Sequence, residues 1–264
     1  MTLPFADLLQ LEPKGDDRFV VRSKGAGFLY GGLSMAVALR GAAATIGDAK
    51  VPMSLHASFL AGGEWAGPHE LAVQRVNDSR SFATRRVELV NSGRLAVVVD
   101  VVFHRPDPGE DWSRTARPRL APPEELAGSQ LPAPVDVAEV RPAPGPPHLL
   151  EPEHPYWCRV HDLPGDPVLG ACGLAFVSDY WVIATPFSKG RRAGEHLVSL
   201  TLQHTLWFHR LPADGGWWYV DCAPLALAGG RYLSRGTLQA RDGTLLASFV
   251  QGGFVRPRSS PTRP

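Results

Sequence analysis

Two stretches of this chain follow one plan. Ser81 to Pro106 reads SFATRRVELVNSGRLAVVVDVVFHRP, and Arg231 to Pro257 reads RYLSRGTLQARDGTLLASFVQGGFVRP. Each is a strand, a Gly-centred turn at Gly93 or Gly243, and a second long strand that closes on Arg-Pro. The two turns stand a little more than half the chain apart. A repeat of that period points to two copies of one fold unit, and every other segment has to fit that frame.

The segments before each hairpin repeat as well. Tyr30-Gly31-Gly32 opens LSMAVALRGAAATIG, a mostly apolar helix rich in small residues and closed by Gly47. A helix this apolar is wrapped by a sheet rather than laid on a surface. Strands follow at Pro52–Leu60, Gly67–Val76, Ser81–Val90 and Leu95–His104. The run VVVDVVF within the last is nearly apolar throughout, which predicts a strand with both faces covered. In the second half, Tyr156–Val160 is the first strand and Pro167–Thr185 the core helix. Strands at 197–209, 216–223, 230–240 and 244–255 complete it. SLHASF at 54–59 occupies the place that LQHTLWF at 202–208 takes in the second copy.

These elements divide the chain into an N-terminal unit (1–106), a Pro-rich linker (107–155) laid over the surface, and a C-terminal unit (156–264). Each unit is one long helix against a bent antiparallel sheet whose edge is open. Two such units can pair edge to edge into one sheet with both helices on its concave side. The expected class is therefore α+β, a double hotdog, in preference to another α+β sandwich or a chance likeness between hairpins.

Composition narrows the function. The net charge of +1 leaves no broad footprint for nucleic acid. The small basic group Lys189, Arg191 and Arg192 reads as a solvated loop. Cys158, Cys172 and Cys222 have no metal-knuckle spacing, and three is an odd number for a disulfide framework, so a reducing, cytoplasmic setting is expected. No apolar stretch is long enough for a membrane span. The N-terminus does not look like a signal peptide. Neither a Ser-His-Asp arrangement, a G-x-S-x-G elbow nor an H-E-x-x-H motif is present. No metal or cofactor is expected. If the chain is a hydrolase, water activation by a carboxylate is favoured, and Asp179 is the only acidic residue in the apolar run from Leu169 to Thr185. Buried unpaired, such a group is costly. Desolvation would also raise its proton affinity and improve it as a base.

Several motifs carry a resemblance. They are Leu11-Glu12-Pro13 with Asp17-Arg18-Phe19, Tyr30-Gly31-Gly32, and Ser54-Leu55-His56-Ala57-Ser58-Phe59-Leu60. Ser79 to Val87 (SRSFATRRV), Val177-Ser178-Asp179-Tyr180, and His204 with Trp207-Phe208-His209-Arg210 continue the series. Leu245-Leu246-Ala247-Ser248 before Gln251-Gly252-Gly253 ends it. In this order they resemble the acyl-CoA thioesterase II family over nearly the whole chain outside the linker. The resemblance implies hydrolysis of an acyl-CoA or related acyl thioester, and a site made of Asp179, Thr201 and Gln251. In that reading Asp179 takes the proton of the attacking water while Thr201 and Gln251 hold the water and orient the carboxylate. Gly31 and Gly32 are candidates to meet the thioester oxygen through their N–H groups. The chain departs from the family at Gln203, where Asp is usual, and at Tyr180-Trp181, where Phe-Asn is common; the bulkier Trp181 is expected to shape the substrate pocket. His56 and His204 sit alike in the two halves, which suggests structural or pocket-lining roles, and Arg85 and Arg86 alternate, so at most one faces a pocket. The family architecture also suggests a homodimer or higher homo-oligomer. A catalytically silent acyl-thioester binding protein is the alternative. A hotdog dehydratase would need a His close to Asp179, and none is obvious in the sequence.

Overall fold

The small residues of the first core helix decide how the two halves meet. In a computed structural model describing residues 4–22, 27–47, 49–128, 137–144, 155–163, 165–182, 197–212 and 214–257, the first half runs as follows. A short helix α1 (Phe5–Leu8) leads to strands β1 (Glu12–Pro13) and β2 (Arg18–Arg22). Helix α2 (Gly31–Ala43) precedes β3 (Val51–Phe59), β4 (Pro68–Asp78), β5 (Phe82–Asn91) and β6 (Arg94–His104). Gly32, Leu33, Ser34, Met35, Ala36, Val37, Ala38, Leu39, Gly41 and Ala42 of α2 are all buried, as expected for a helix that is wrapped rather than amphipathic.

The second half consists of β7 (Ala138–Pro142), β8 (Tyr156–Val160), helix α3 (Pro167–Ser178), β9 (Leu197–Phe208), β10 (Trp218–Ala228), β11 (Arg231–Ala240) and β12 (Leu245–Pro257). Asp166 starts α3: its carboxylate accepts from the Val168 and Leu169 N–H groups at 2.7 and 3.0 Å, and Pro167 occupies the first turn, where a missing N–H costs nothing. The two helices touch where side chains are small. The Cys172 thiol meets the Ala36 carbonyl at 3.3 Å, and the Tyr30 hydroxyl donates to the Phe176 carbonyl at 2.8 Å.

Among the described residues the strands form a single antiparallel sheet of twelve, ordered β1-β2-β4-β5-β6-β3-β9-β12-β11-β10-β8-β7. The seam between the halves is β3 with β9, where Ala57 pairs with His204 and His56 with Thr205. The repeated segments SLHASF and LQHTLWF are thus the strands that join the two units, and the fold is a double hotdog. The hairpin turns follow their residues. Ser92 and Gly93 both have positive φ (51° and 74°), a two-residue turn matched to strand twist. The β11–β12 turn is longer and ends in Gly243 at φ 92°.

Four expectations are revised. Strand β6 is buried on its inner face only; Val98, Asp100 and Val102 on the other face are half-buried, with Asp100 paired to Arg86 rather than covered by a second layer. The Pro-rich stretch contributes β7 at the sheet edge, and its Leu120 and Leu126 pack on Trp157 and Tyr219. Helix α2 ends at Ala43, before Gly47, with the Thr45 hydroxyl on the Ala42 carbonyl. Helix α3 ends at Ser178, because the chain turns there and Trp181 adopts φ 59°. The basic group Lys189, Arg191 and Arg192 and the expected helical residues 183–185 lie outside the described residues.

Arg85 closes the far end of α2. Its side chain is 1% exposed, and all five of its N–H groups have acceptors: the Thr45 hydroxyl and carbonyl, the Asn77 and Thr84 carbonyls and the Asp78 carboxylate. A lysine has no such fork. Arg85→Met is expected to lower the unfolding free energy by roughly 2 kcal/mol, since it strands the buried Thr45 hydroxyl and carbonyl and unpairs the half-exposed Asp78 carboxylate. Arg86→Met, on the exposed face, is expected to cost much less, because its pair with Asp100 is screened by solvent. Urea titration of the two variants measures the contrast, and equal losses would contradict it.

Candidate active site

Helix α3 is buried from Gly170 to its end and delivers Asp179 at its C-terminal cap, not within the helix. Asp179 is 8% exposed, and its Oδ2 accepts from the Gly32 N–H at 3.0 Å. Gly32 lies in the first turn of α2, whose own N-cap, Tyr30, offers no side-chain bond. The end of one helix therefore caps the start of the other, and the carboxylate satisfies an N–H that the helix cannot. Gly31 makes this approach possible, since a Cβ there would lie 2.6 Å from Asp179 Oδ2 and 3.1 Å from the Phe59 ring. Burial pushes the Asp179 carboxyl up to about 7, against the opposing pull of the Gly32 N–H.

Gln251 lies at the other end of the site, fully buried on β12, between His204 of β9 and Ser234 of β11. Side chains along a strand alternate, so Thr201 and His204 would ordinarily face opposite sides. A bulge at Leu202 shifts the register: Gly252 pairs with Gln203, but Gly253 pairs with Thr201. That extra residue turns both side chains inward. Gln251 Nε2 donates to the Thr201 hydroxyl at 3.0 Å and to the Tyr232 hydroxyl at 3.1 Å, while its Oε1 faces His204 Nδ1 at 2.9 Å.

The structure thus joins Thr201 and Gln251 directly, but not in the way expected for Asp179. The hydrogen bond described at the carboxylate comes from Gly32; neither Thr201 nor Gln251 is bonded to it. Gly32 N–H is correspondingly committed to Asp179 and is not a free donor for a thioester oxygen. Both amide hydrogens of Gln251 are committed to hydroxyls, so its contact with a water would run through Thr201 or Tyr232. Trp181 is half-buried in an aromatic group, stacked on Tyr180 with ring centres 5.0 Å apart and edge-on to Tyr156 at 5.3 Å.

Two further side chains belong to this network: His204, expected only in a structural or pocket-lining role, and one to which no motif pointed. His204 is buried, stacks on Phe249, and places Nε2 2.9 Å from the Ser178 hydroxyl. A His therefore does stand beside the residue preceding Asp179, although both its ring nitrogens have partners. Burial lowers its pKa to about 4, so the ring is neutral at ordinary pH. His56, aligned with it by motif, faces the opposite side of the sheet and meets Thr205 at 2.6 Å. The other is Tyr232, 3% exposed, which lies against Gly253; a Cβ at that glycine would sit 2.5 Å from its ring. Burial raises the Tyr232 phenol, and the nearby Asp179 charge raises it further, so it remains protonated. A cleft of about 720 Å³ between the α1–β1 segment and the Arg40 end of α2 contains none of these residues.

The likeness to known proteins spans both halves. A family profile described as an acyl-CoA thioesterase N-terminal domain matches residues 21–104, and one described as an acyl-CoA thioesterase C-terminal domain matches residues 106–255. Acyl-CoA thioesterase 2 of Haemophilus influenzae is 29% identical over 276 residues, covering 94% of this chain and 96% of its own. Human acyl-coenzyme A thioesterase 8 is 25% identical over 279 residues, covering 94% and 88%. The crystal structure of an acyl-CoA thioesterase II from Mycobacterium marinum superposes with a TM-score of 0.82 at 28% identity, over 98% of this chain and 99% of that one. With both halves matched in order and the strand seam in place, the chain belongs to the acyl-CoA thioesterase family.

Proposed function

We propose that this protein hydrolyses acyl thioesters of the acyl-CoA class by direct attack of water. The observation that carries the reading is the Asp179 carboxylate. It is buried, held on one oxygen by Gly32 N–H, and has a proton affinity near neutrality. A base of that strength is half-ionised at the pH where it has to work. The second carboxylate oxygen accepts the proton of a water, whose oxygen attacks the thioester carbon. Thr201, fixed by Gln251, holds that water by its hydroxyl. The tetrahedral intermediate then expels the thiolate as the carbon–sulfur bond breaks. The proton on Asp179 passes to sulfur, leaving a free acid and a thiol.

A panel of acyl-CoA esters, from short to long chain and aryl, with detection of the released thiol, tests the reading. Turnover of at least one ester is expected. Thr201→Val and Gln251→Ala are each expected to lower kcat by about 10²-fold, the scale of losing one aligned hydrogen-bonding group. Binding of acyl-CoA with no release of thiol from any ester would replace hydrolysis by a carrier or sensor role.

A further inference from the structure

We propose that Tyr232 is a further catalytic residue, its hydroxyl donating to the thioester oxygen, and that the buried chain Ser178–His204–Gln251 fixes the direction of that donation. The proposal rests on the thioesterase reading above.

The direction follows from counting hydrogens. Gln251 turns its Oε1 toward His204 Nδ1 and its amide nitrogen toward Thr201 and Tyr232. A neutral imidazole has one N–H, and facing a carbonyl oxygen that hydrogen belongs on Nδ1. Nε2 is then an acceptor, and the Ser178 hydroxyl, 2.9 Å away, is its donor. That hydroxyl also lies 2.9 Å from the Ala175 carbonyl, so its one hydrogen is shared between two acceptors. Each link passes donation onward, from Ser178 to His204 to Gln251 to the two hydroxyls. Thr201 and Tyr232 each accept from the amide, and each retains a hydrogen of its own to give, with the Ser199 side chain a further neighbour able to hydrogen-bond the Tyr232 hydroxyl.

The two hydroxyl oxygens are 3.5 Å apart, too far to bond each other well. That spacing suits two donors serving two oxygens on one carbon: the attacking water on Thr201 and the carbonyl oxygen on Tyr232. Tyr232 sits on the rigid β11 opposite Gly253. Its ring is held from behind, so the hydroxyl needs no reorganisation as charge develops on the oxygen, which is the condition for effective stabilisation. His204 touches no substrate in this scheme and is a positioning residue.

Tyr232→Phe keeps the ring and removes the hydroxyl. On the ester that the wild type cleaves fastest, kcat is expected to fall about 10²-fold, with KM within about threefold and the pH midpoint unchanged. His204→Asn places an amide N–H near the former Nδ1 and is expected to retain about tenfold more activity than His204→Leu. Nitrogen NMR of the wild type should show the Nδ1–H tautomer of His204. A Tyr232→Phe enzyme within about threefold of wild type, while Asp179→Asn is inactive in the same assay, overturns the role of Tyr232 and leaves the thioesterase reading intact. An Nε2–H tautomer, or equal activity of the Asn and Leu variants, overturns the relay. An active Asp179→Asn enzyme instead overturns the reading on which both depend.

Discussion

Asp179→Asn is expected to lower kcat/KM by about 10³-fold or more, because in the proposed mechanism it removes the proton acceptor and little else. Asn matches Asp in shape, and its amide oxygen can still accept from Gly32 N–H at the start of α2. What it lacks is a lone pair basic enough to take a proton from water. The same residue sets the pH profile. With its carboxyl raised to about 7, the wild-type kcat/KM should climb with pH up to that value, one decade per unit, and level off above it. The sign is that of a base: protonation on the acid side switches the enzyme off. The residual activity of Asp179→Asn should lack this step. A flat wild-type profile between pH 5 and 9 would remove Asp179 from the role, as would a variant retaining a tenth of the activity.

What the chain discloses about itself depends on how local each signal is. Ser92-Gly93 and Arg241-Asp242-Gly243 are short turns between alternating strands, and both hairpins form where the residues dictate. Asp166-Pro167 marks the start of α3 for the same reason. The end of α3 is not local. Apolar residues continue past Ser178, but the chain leaves the helix so that Asp179 can meet Gly32, a partner in the other half. The Leu202 bulge is hidden too. It depends on Gly253, where the Tyr232 ring comes too close for a Cβ, and it reverses the face on which Thr201 emerges. For that reason Thr201 and Gln251 were nameable from a resemblance and His204 only as a structural or pocket-lining residue, whereas Tyr232 was not named: the place of both in the network depends on strand register. Equal motifs mislead here, since His56 and His204 align in sequence and face opposite sides of the sheet.

Asp179 and His204, buried together in the site, should also pull stability in opposite directions. In the folded protein Asp179 titrates near 7 rather than at the ordinary 3.8. Between those values the native state keeps a proton that the unfolded chain releases. Its contribution is present below about pH 4 and is lost as pH rises through 7. His204 behaves in reverse, titrating near 4 instead of 6.5. Between those values the unfolded chain binds a proton that the native site refuses, so stability falls as pH falls. The effects are on the order of 4 to 5 kcal/mol for Asp179 and 3 to 4 kcal/mol for His204 at full extent, at ~1.4 kcal/mol per pH unit of displacement. From about pH 4 to 6.5 the two slopes oppose each other, and the wild type should show little net dependence from this site. Asp179→Asn uncovers the His204 slope: it should lose stability on acidification across that range, yet be more stable than the wild type at pH 8. His204→Asn uncovers the other slope and should gain stability on acidification. Urea unfolding of the three proteins at pH 4.5, 6.5 and 8 measures this directly. If Asp179→Asn proves less stable than wild type at pH 8, then capping of α2 by the carboxylate outweighs its desolvation. The base would in that case be weaker than the kinetic argument requires. The inactive variant being the more stable one at pH 8 is what a carboxylate kept under strain for proton abstraction entails.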